Sequence, residues 1–238
     1  MRAYKALSST EKHLSQMCSP LLFASHRLRV VSFDLDGTLY DAKRHRGKLL
    51  PLILRHPRVM LAFRDTVTEL RGTEHPDLPE VLARRVGERI GCSVDRAREL
   101  LNRTVYGPWP ASFSPEMVLP GLPKLLAALD AEGMGRAVLS DHPAEQKLAG
   151  MGLGGWAAVV DCEAVGSFKP SPKGLFVLAE RLGVEVTEIL HVGDRIDTDA
   201  AMAEAAGTVS LIRGRDFDSA DQLGRLLFGR RWTEDHHG

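Results

Sequence analysis

From residue 120 onward the chain alternates between two textures, and this alternation restricts its fold more than any other feature. Stretches with helical spacing (GLPKLLAALDAEG at 121–133, PAEQKLAGMGL at 143–153, SPKGLFVLAERLGV at 171–184, TDAAMAEAAG at 198–207) are separated by short β-rich runs. Those runs are RAVLSD at 136–141, AAVVD at 157–161, EILHVGD at 188–194 and TVSLI at 208–212. Strands joined by helices pair in parallel through right-handed crossovers, and the helices cover both faces of the sheet. One more run, LRVVSF at 28–33, is short, β-branched and apolar, as a central strand buried on both faces would be. The pattern predicts an α/β fold with a doubly wound parallel sheet. A last helix is expected over 222–228, and the tail RRWTEDHHG (230–238) is expected to fray.

Residues 41–115 interrupt this rhythm. They are rich in Arg, Leu and Glu at helical spacing, with no strand signal. In 58–71, Val59, Phe63, Val67 and Leu70 fall on one stripe, and 78–90 and 94–105 read as further helices. The predicted organisation is therefore a polar N-terminal extension (1–27), a core made of 28–40 and 116–230, and an all-helical insertion (41–115). Trp109, between Pro108 and Pro110, falls on the return from insertion to core, where hinge packing is expected.

Lys+Arg and Asp+Glu both number 31, so no net field favours nucleic acid or an anionic membrane. No apolar stretch approaches the ~20 residues of a membrane span. The apolar piece at 21–24 is short of the ~7–15 residues of a signal-peptide core. The three cysteines, Cys18, Cys92 and Cys162, are odd in number and widely spaced, which suits reduced thiols and a cytoplasmic location.

Ligands of doubly wound sheets bind beyond the carboxyl ends of the strands. Here that edge receives Asp34 and Asp36 from the first strand, Ser140 and Asp141 from the second, and Asp194, followed by Asp197 and Asp199, from the fourth. Lys169, ahead of a helix start in GSFKPSP, can reach the same edge. Converging carboxylates without His or Cys suit Mg²⁺. A lysine, a hydroxyl and free backbone N–H groups beside them suit a phosphate. Two carboxylates serve two tasks in phosphoryl transfer: one attacks phosphorus, the other protonates the leaving oxygen and then activates water. Gly37 permits the turn away from the strand.

These motifs resemble those of the haloacid dehalogenase (HAD) superfamily. DLDGTLY resembles its first motif, LSD at 139–141 its second, Lys169 in KPSP its third, and VGDRIDTDAAMAEAAG its fourth. The helical insertion lies where the family's C1-type cap is inserted. The resemblance implies an HAD-like Rossmannoid core and a phosphatase acting through an aspartyl-phosphate. It implies Asp34 as nucleophile and Asp36 as general acid/base, with Mg²⁺ held by Asp34, the Asp36 carbonyl and Asp194. It also implies phosphate bound by Ser140 and the Asp141 amide, Lys169 neutralising the nucleophile and the transferring group, and Asp199 orienting Lys169 or metal-bound water. The family's dehalogenases lack the second aspartate of the first motif, so Asp36 favours phosphatase chemistry.

The second motif more often reads Ser/Thr-Asn, whereas this chain has Ser140-Asp141-His142; Asp141 is expected to turn away from the phosphate, toward the cap or a basic residue, and His142 is a candidate substrate contact. In the basic run KRHRGK (43–48), Arg44 and Arg46 are the candidates for attracting an anionic substrate. The expected partner is a small phosphorylated metabolite, and the expected state a monomer or homodimer. The alternatives are a phosphotransferase or mutase using the same intermediate, or a non-catalytic binding protein of this fold.

Overall fold

The structure is a computed structural model and describes residues 27–41, 47, 50, 53–229 and 231–234. Five strands form one sheet: β1 (Val30–Phe33), β2 (Gly135–Ser140), β3 (Ala158–Asp161), β4 (Ile189–Gly193) and β5 (Val209–Ile212). Their order is β3-β2-β1-β4-β5 and every pairing is parallel. The chain first builds outward from β1 to β2 and β3, then crosses to the other side of β1 for β4 and β5. This reversal opens a crevice beside the carboxyl end of β1.

β1 is buried on both faces, as its sequence requires. Val31 and Phe33 join a core with helices α5 (Leu122–Ala131) and α9 (Ala220–Phe228). Val30, with Ala137, Leu139 and Ile189, joins a second core on the opposite face, under α7 (Lys173–Leu182) and α8 (Ala201–Ala206). Helix α6 (Glu145–Gly150) follows β2, and α8 opens with a wide turn over Ile196–Ala200.

Among the described residues, the stretch between β1 and β2 is helical apart from its turns and two isolated bridges, Tyr40 with Val118 and Arg71 with Phe168. It contains α1 (Pro57–Leu70), α2 (Leu78–Ile90), α3 (Val94–Leu101) and the short α4 (Pro108–Ala111). The predicted stripe of α1 is its buried face: Val59, Phe63, Val67 and Leu70 all pack inward. Asp77 and Ser93 cap α2 and α3 by accepting hydrogen bonds from the N–H groups of Glu80 and Arg96. The helix predicted over 94–105 changes pitch at Asn102, where a wide turn runs to Tyr106.

The predicted fraying of 230–238 is overturned in part. Residues Arg231–Glu234 make a helical turn, α10. Trp232 is buried, stacks on Phe228 with ring centroids 5.7 Å apart, and donates from Nε1 to Asp221 at 2.8 Å. An aromatic at this spacing finds the open flank of α9, and its burial outweighs the fraying tendency of a terminus.

Candidate active site

The carboxyl ends of β1, β2 and β4 bring the polar residues together. Asp34 follows β1 directly, and its N–H donates to the Val192 carbonyl at 2.8 Å. Its carboxylate, 9% exposed, accepts from Lys169 Nζ at 2.5 Å. Lys169 Nζ also donates to Asp199 Oδ1 at 2.7 Å, so one buried ammonium bridges two buried carboxylates. Asp199 is anchored further by the N–H groups of Asp194 and Arg195 on its Oδ2, and by His191 Nε2 at 3.3 Å on its Oδ1. His191 in turn meets Ser32 Oγ through Nδ1 at 2.7 Å, which ties β4 to β1 inside the sheet.

The electrostatics follow from burial and from the excess of carboxylates. Burial pushes the Asp34 carboxyl well up; the Lys169 charge opposes the shift, while Asp199 and Asp194 add to it. Asp194 is pushed up to about 6 by burial and by Asp199. Asp199 goes the other way: burial is outweighed by the Lys169 charge and the His191 contact, so it stays ionised. Burial also opposes the Lys169 charge, but Asp199 and Asp34 overcome it and hold the ammonium protonated.

Asp34, Asp194 and Asp199 each place an oxygen within 4.8 Å of the others. Two of the three are pushed toward protonation by burial and mutual repulsion, so the cluster is short of positive charge. An all-oxygen set with that deficit fits a hard divalent cation. Gly37 makes room for the Asp194 carboxylate: with φ +101° it turns the chain sharply, and a Cβ there would collide with that group.

Asp36, two residues beyond Asp34, sits in different surroundings. Its carboxylate, 28% exposed, accepts from Tyr40 Oη at 2.6 Å and from Lys147 Nζ at 2.9 and 2.7 Å. Burial would raise its pKa, but Lys147 and Tyr40 together bring it below the usual carboxylate range. Ser140, at the end of β2, is fully buried, and its hydroxyl has no partner among the described residues; the same holds for the Thr38 hydroxyl. Unpartnered buried hydroxyls are rare. Ser140 lies at the strand end where an anion is expected.

The Asp141 carboxylate is engaged with Arg71 Nη1 at 2.8 Å and with the Lys169 N–H at 3.0 Å. Arg71 also donates to the Lys169 carbonyl at 2.8 Å. The end of α1 thus clamps the loop that presents Lys169. His142 contacts Glu163 Oε2 through Nδ1 at 2.7 Å, and Glu163 Oε1 accepts from Tyr106 Oη at 2.6 Å. The imidazole lies between the rings of Phe63 and Phe168, at the junction of insertion and core. Asp197 is exposed and paired with Arg195, away from the cluster. Arg44 and Arg46 lie outside the described residues.

Sequence reasoning missed Lys147, Tyr40 and Arg71. For Lys147 a signal existed: Ala144, Lys147, Leu148 and Met151 share the i, i+3, i+4, i+7 spacing of one helix face, and all four are buried. A lysine on an apolar stripe just after a strand end implies a buried carboxylate partner. Arg71 carried no comparable signal, because its partners are 70 and 98 residues away.

Comparison with known proteins agrees with this geometry. Residues 28–207 match the model of the haloacid dehalogenase-like hydrolases. The chain is 30% identical to a glyceraldehyde 3-phosphate phosphatase of Methanopyrus kandleri over 205 residues, covering 79% of this chain and 85% of that protein. It is 32% identical to a phosphoglycolate phosphatase of Aquifex aeolicus over 187 residues, covering 76% and 82%. In fold it resembles a β-phosphoglucomutase of Clostridium difficile, with a TM-score of 0.60 at 18% identity, covering 87% and 98%. A sheet of this order, with acidic strand ends meeting one buried lysine, and a family match across most of the chain lead to one assignment: the chain belongs to the haloacid dehalogenase-like hydrolases.

Proposed function

We propose that this protein is a Mg²⁺-dependent phosphatase that hydrolyses a small phosphomonoester through an aspartyl-phosphate on Asp34. One observation carries the reading: two carboxylates, Asp34 and Asp36, leave the same strand end into opposite environments, one joined to Lys169 and the acidic cluster, the other to Lys147 and Tyr40. A nucleophile and an acid/base are two tasks that need two carboxyl groups at one strand end, each held by its own partners. A dehalogenase has no use for the second.

In this reading the Asp34 carboxylate attacks phosphorus while Asp36 gives a proton to the departing alcohol oxygen. Asp36 then takes a proton from the water that attacks phosphorus and releases Asp34. Asp34, Asp194 and the main-chain carbonyl of Asp36 would hold Mg²⁺, which supplies positive charge to the phosphoryl oxygens. Lys169 adds a fixed charge beside Asp34, Asp199 holds that lysine in place, and the Ser140 hydroxyl with the Asp141 amide receives the phosphate.

Residues 41–115 act as a cap over a core of 28–40 and 116–230, with 1–27 as an extension. His142, at the junction, and Arg44 and Arg46 on the cap's leading segment contact the substrate. Phosphoglycolate and glyceraldehyde 3-phosphate, named for the relatives, are the first substrates to test, followed by sugar phosphates and nucleoside monophosphates. No helix among the described residues is long and apolar enough to cross a membrane. The reading places the enzyme in the cytoplasm, as a monomer or homodimer.

The test is phosphate release from that panel, with and without Mg²⁺, for the wild type and Asp34→Asn. Mg²⁺-dependent release that disappears in Asp34→Asn is the expected result. Release that persists in Asp34→Asn, or none from any ester, would overturn it.

A further inference from the structure

Lys147 is a buried charge that the phosphatase reading leaves without a role. Its side chain is 2% exposed, on the face of α6 that otherwise carries Ala144, Leu148 and Met151. An ammonium out of water is expensive unless its surroundings replace hydration. Here they do so with a carboxylate and two rings. Nζ donates to both oxygens of Asp36, at 2.9 and 2.7 Å, and lies 4.6 Å from the centre of the Trp109 ring and 5.6 Å from that of Phe113. Tyr40 Oη holds Asp36 Oδ1 from another side, and the Tyr40 ring meets Phe113 edge-on with centroids 4.9 Å apart.

The arrangement has two consequences. A carboxylate gripped at both oxygens by one ammonium, and at one of them by a phenol, has a defined direction. The residue doing the gripping rests on Trp109 and Phe113, which lie on the return segment from the helical insertion to the core. The orientation of Asp36 is thereby tied to the placement of that segment.

We propose that Lys147 is a positioning residue for the reaction: it aims the Asp36 carboxyl group at the leaving oxygen and, through Trp109, ties that aim to the return segment of the insertion. The proposal deepens the phosphatase reading and rests on it. The step concerned is balanced: the Asp34 carboxylate forms a bond to phosphorus, the bond from phosphorus to the ester oxygen breaks, and the proton on Asp36 passes to that oxygen. Lys147 contributes no proton and no bond; it sets where Asp36 points. A small misplacement of a reacting group is enough to lose about 10²-fold in rate.

The experiment compares two esters that differ in their need for a proton. The alcohol of an alkyl phosphate is a poor leaving group that needs the proton from Asp36, whereas p-nitrophenyl phosphate releases a stabilised phenolate and needs it far less. Lys147→Met is expected to lower kcat on the alkyl phosphate about 10²-fold, with a much smaller loss on p-nitrophenyl phosphate and KM unchanged. Lys147→Arg, which keeps the charge, is expected to recover part of the alkyl activity. Trp109→Leu is expected to show the same selective loss more weakly.

A merely structural lysine would lower both activities together, so equal losses on the two esters in an active protein overturn the proposal alone. If Lys147→Met does not fold, Tyr40→Phe, which removes the other grip on Asp36, takes its place under the same criterion. A wild type inactive toward both esters overturns the phosphatase reading and the proposal with it.

Discussion

Asp34 and Asp36 are two residues apart on one loop, yet they belong to different neighbourhoods. Asp34 faces β4 and shares one ammonium with Asp199, in a cluster with more carboxylates than cations. Asp36 faces α6 and the return segment of the insertion, held by an ammonium and a phenol. Burial affects both, but only Asp36 has enough compensation to fall below the usual carboxylate range. Identical side chains thus acquire different chemical characters from the direction in which the loop presents them. The Asp34 side is built from the core, with Arg71 of α1 bracing the loop that carries Lys169, and the Asp36 side is held by Lys147, which rests on the return segment of the insertion.

Substitution at the two aspartates tests this contrast most severely. Asp34→Asn is expected to reduce phosphate release to background on every ester, because the attacking atom is gone. Asp36→Asn is expected to lower turnover of alkyl phosphates by about 10²–10⁴-fold and to spare p-nitrophenyl phosphate in part. Equal loss on both esters in Asp36→Asn would break the assignment of Asp36 as acid.

Stability separates the neighbourhoods as well. Asp199→Ala strips one of the two carboxylates from the buried Lys169 and is expected to cost about 3–5 kcal/mol in denaturant unfolding. Arg71→Ala, which frees a partly buried Asp141, is expected to cost about 1.5–3 kcal/mol. An Asp199 variant less damaging than the Arg71 variant would show that the shared ammonium is not the centre of the cluster.

The pH dependence differs in sign between groups. The folded pKa of Asp194, about 6, lies above its unfolded value, so its ionisation destabilises the metal-free protein above pH 6 and the penalty fades as pH falls through 6. Asp194→Asn is therefore expected to melt higher than the wild type at pH 7 without Mg²⁺, with the gap narrowing toward pH 4. Added Mg²⁺ should raise the melting temperature of the wild type but not that of the variant. Asp36 has a lowered folded pKa, so its contribution is full above the unfolded carboxylate value and is lost as pH falls through the folded one. Asp36→Asn is expected to melt lower than the wild type at pH 7, the opposite of Asp194→Asn; a shift of the same sign in both would remove the electrostatic contrast. The smallest effect is expected from His191→Gln. Burial depresses the His191 pKa, so its neutral form costs stability only as pH drops below the unfolded value of about 6.5. Melting curves from pH 7 to 5 should show a slightly shallower decline in the variant.

Much of the molecule was legible before folding. The alternation from residue 120 onward corresponds to β2 through α8 and β5, because burial on a sheet and on a helix impose periods of 2 and 3.6 on neighbouring residues. Asp34, Ser140 and Asp194 were legible as site residues for the same local reason: each follows or ends an apolar strand, and strand ends in a parallel sheet converge. The partners of those residues were not. Lys147 reaches Asp36 across 111 residues of sequence, Arg71 reaches Asp141 across 70, and Ser32 meets His191 across 159. Periodicity records which face of an element is buried but not which element lies against it. Strand order and the seating of α1 and α6 over the sheet edge choose those pairs, and with them the different proton affinities of two aspartates that the sequence presents as equivalent.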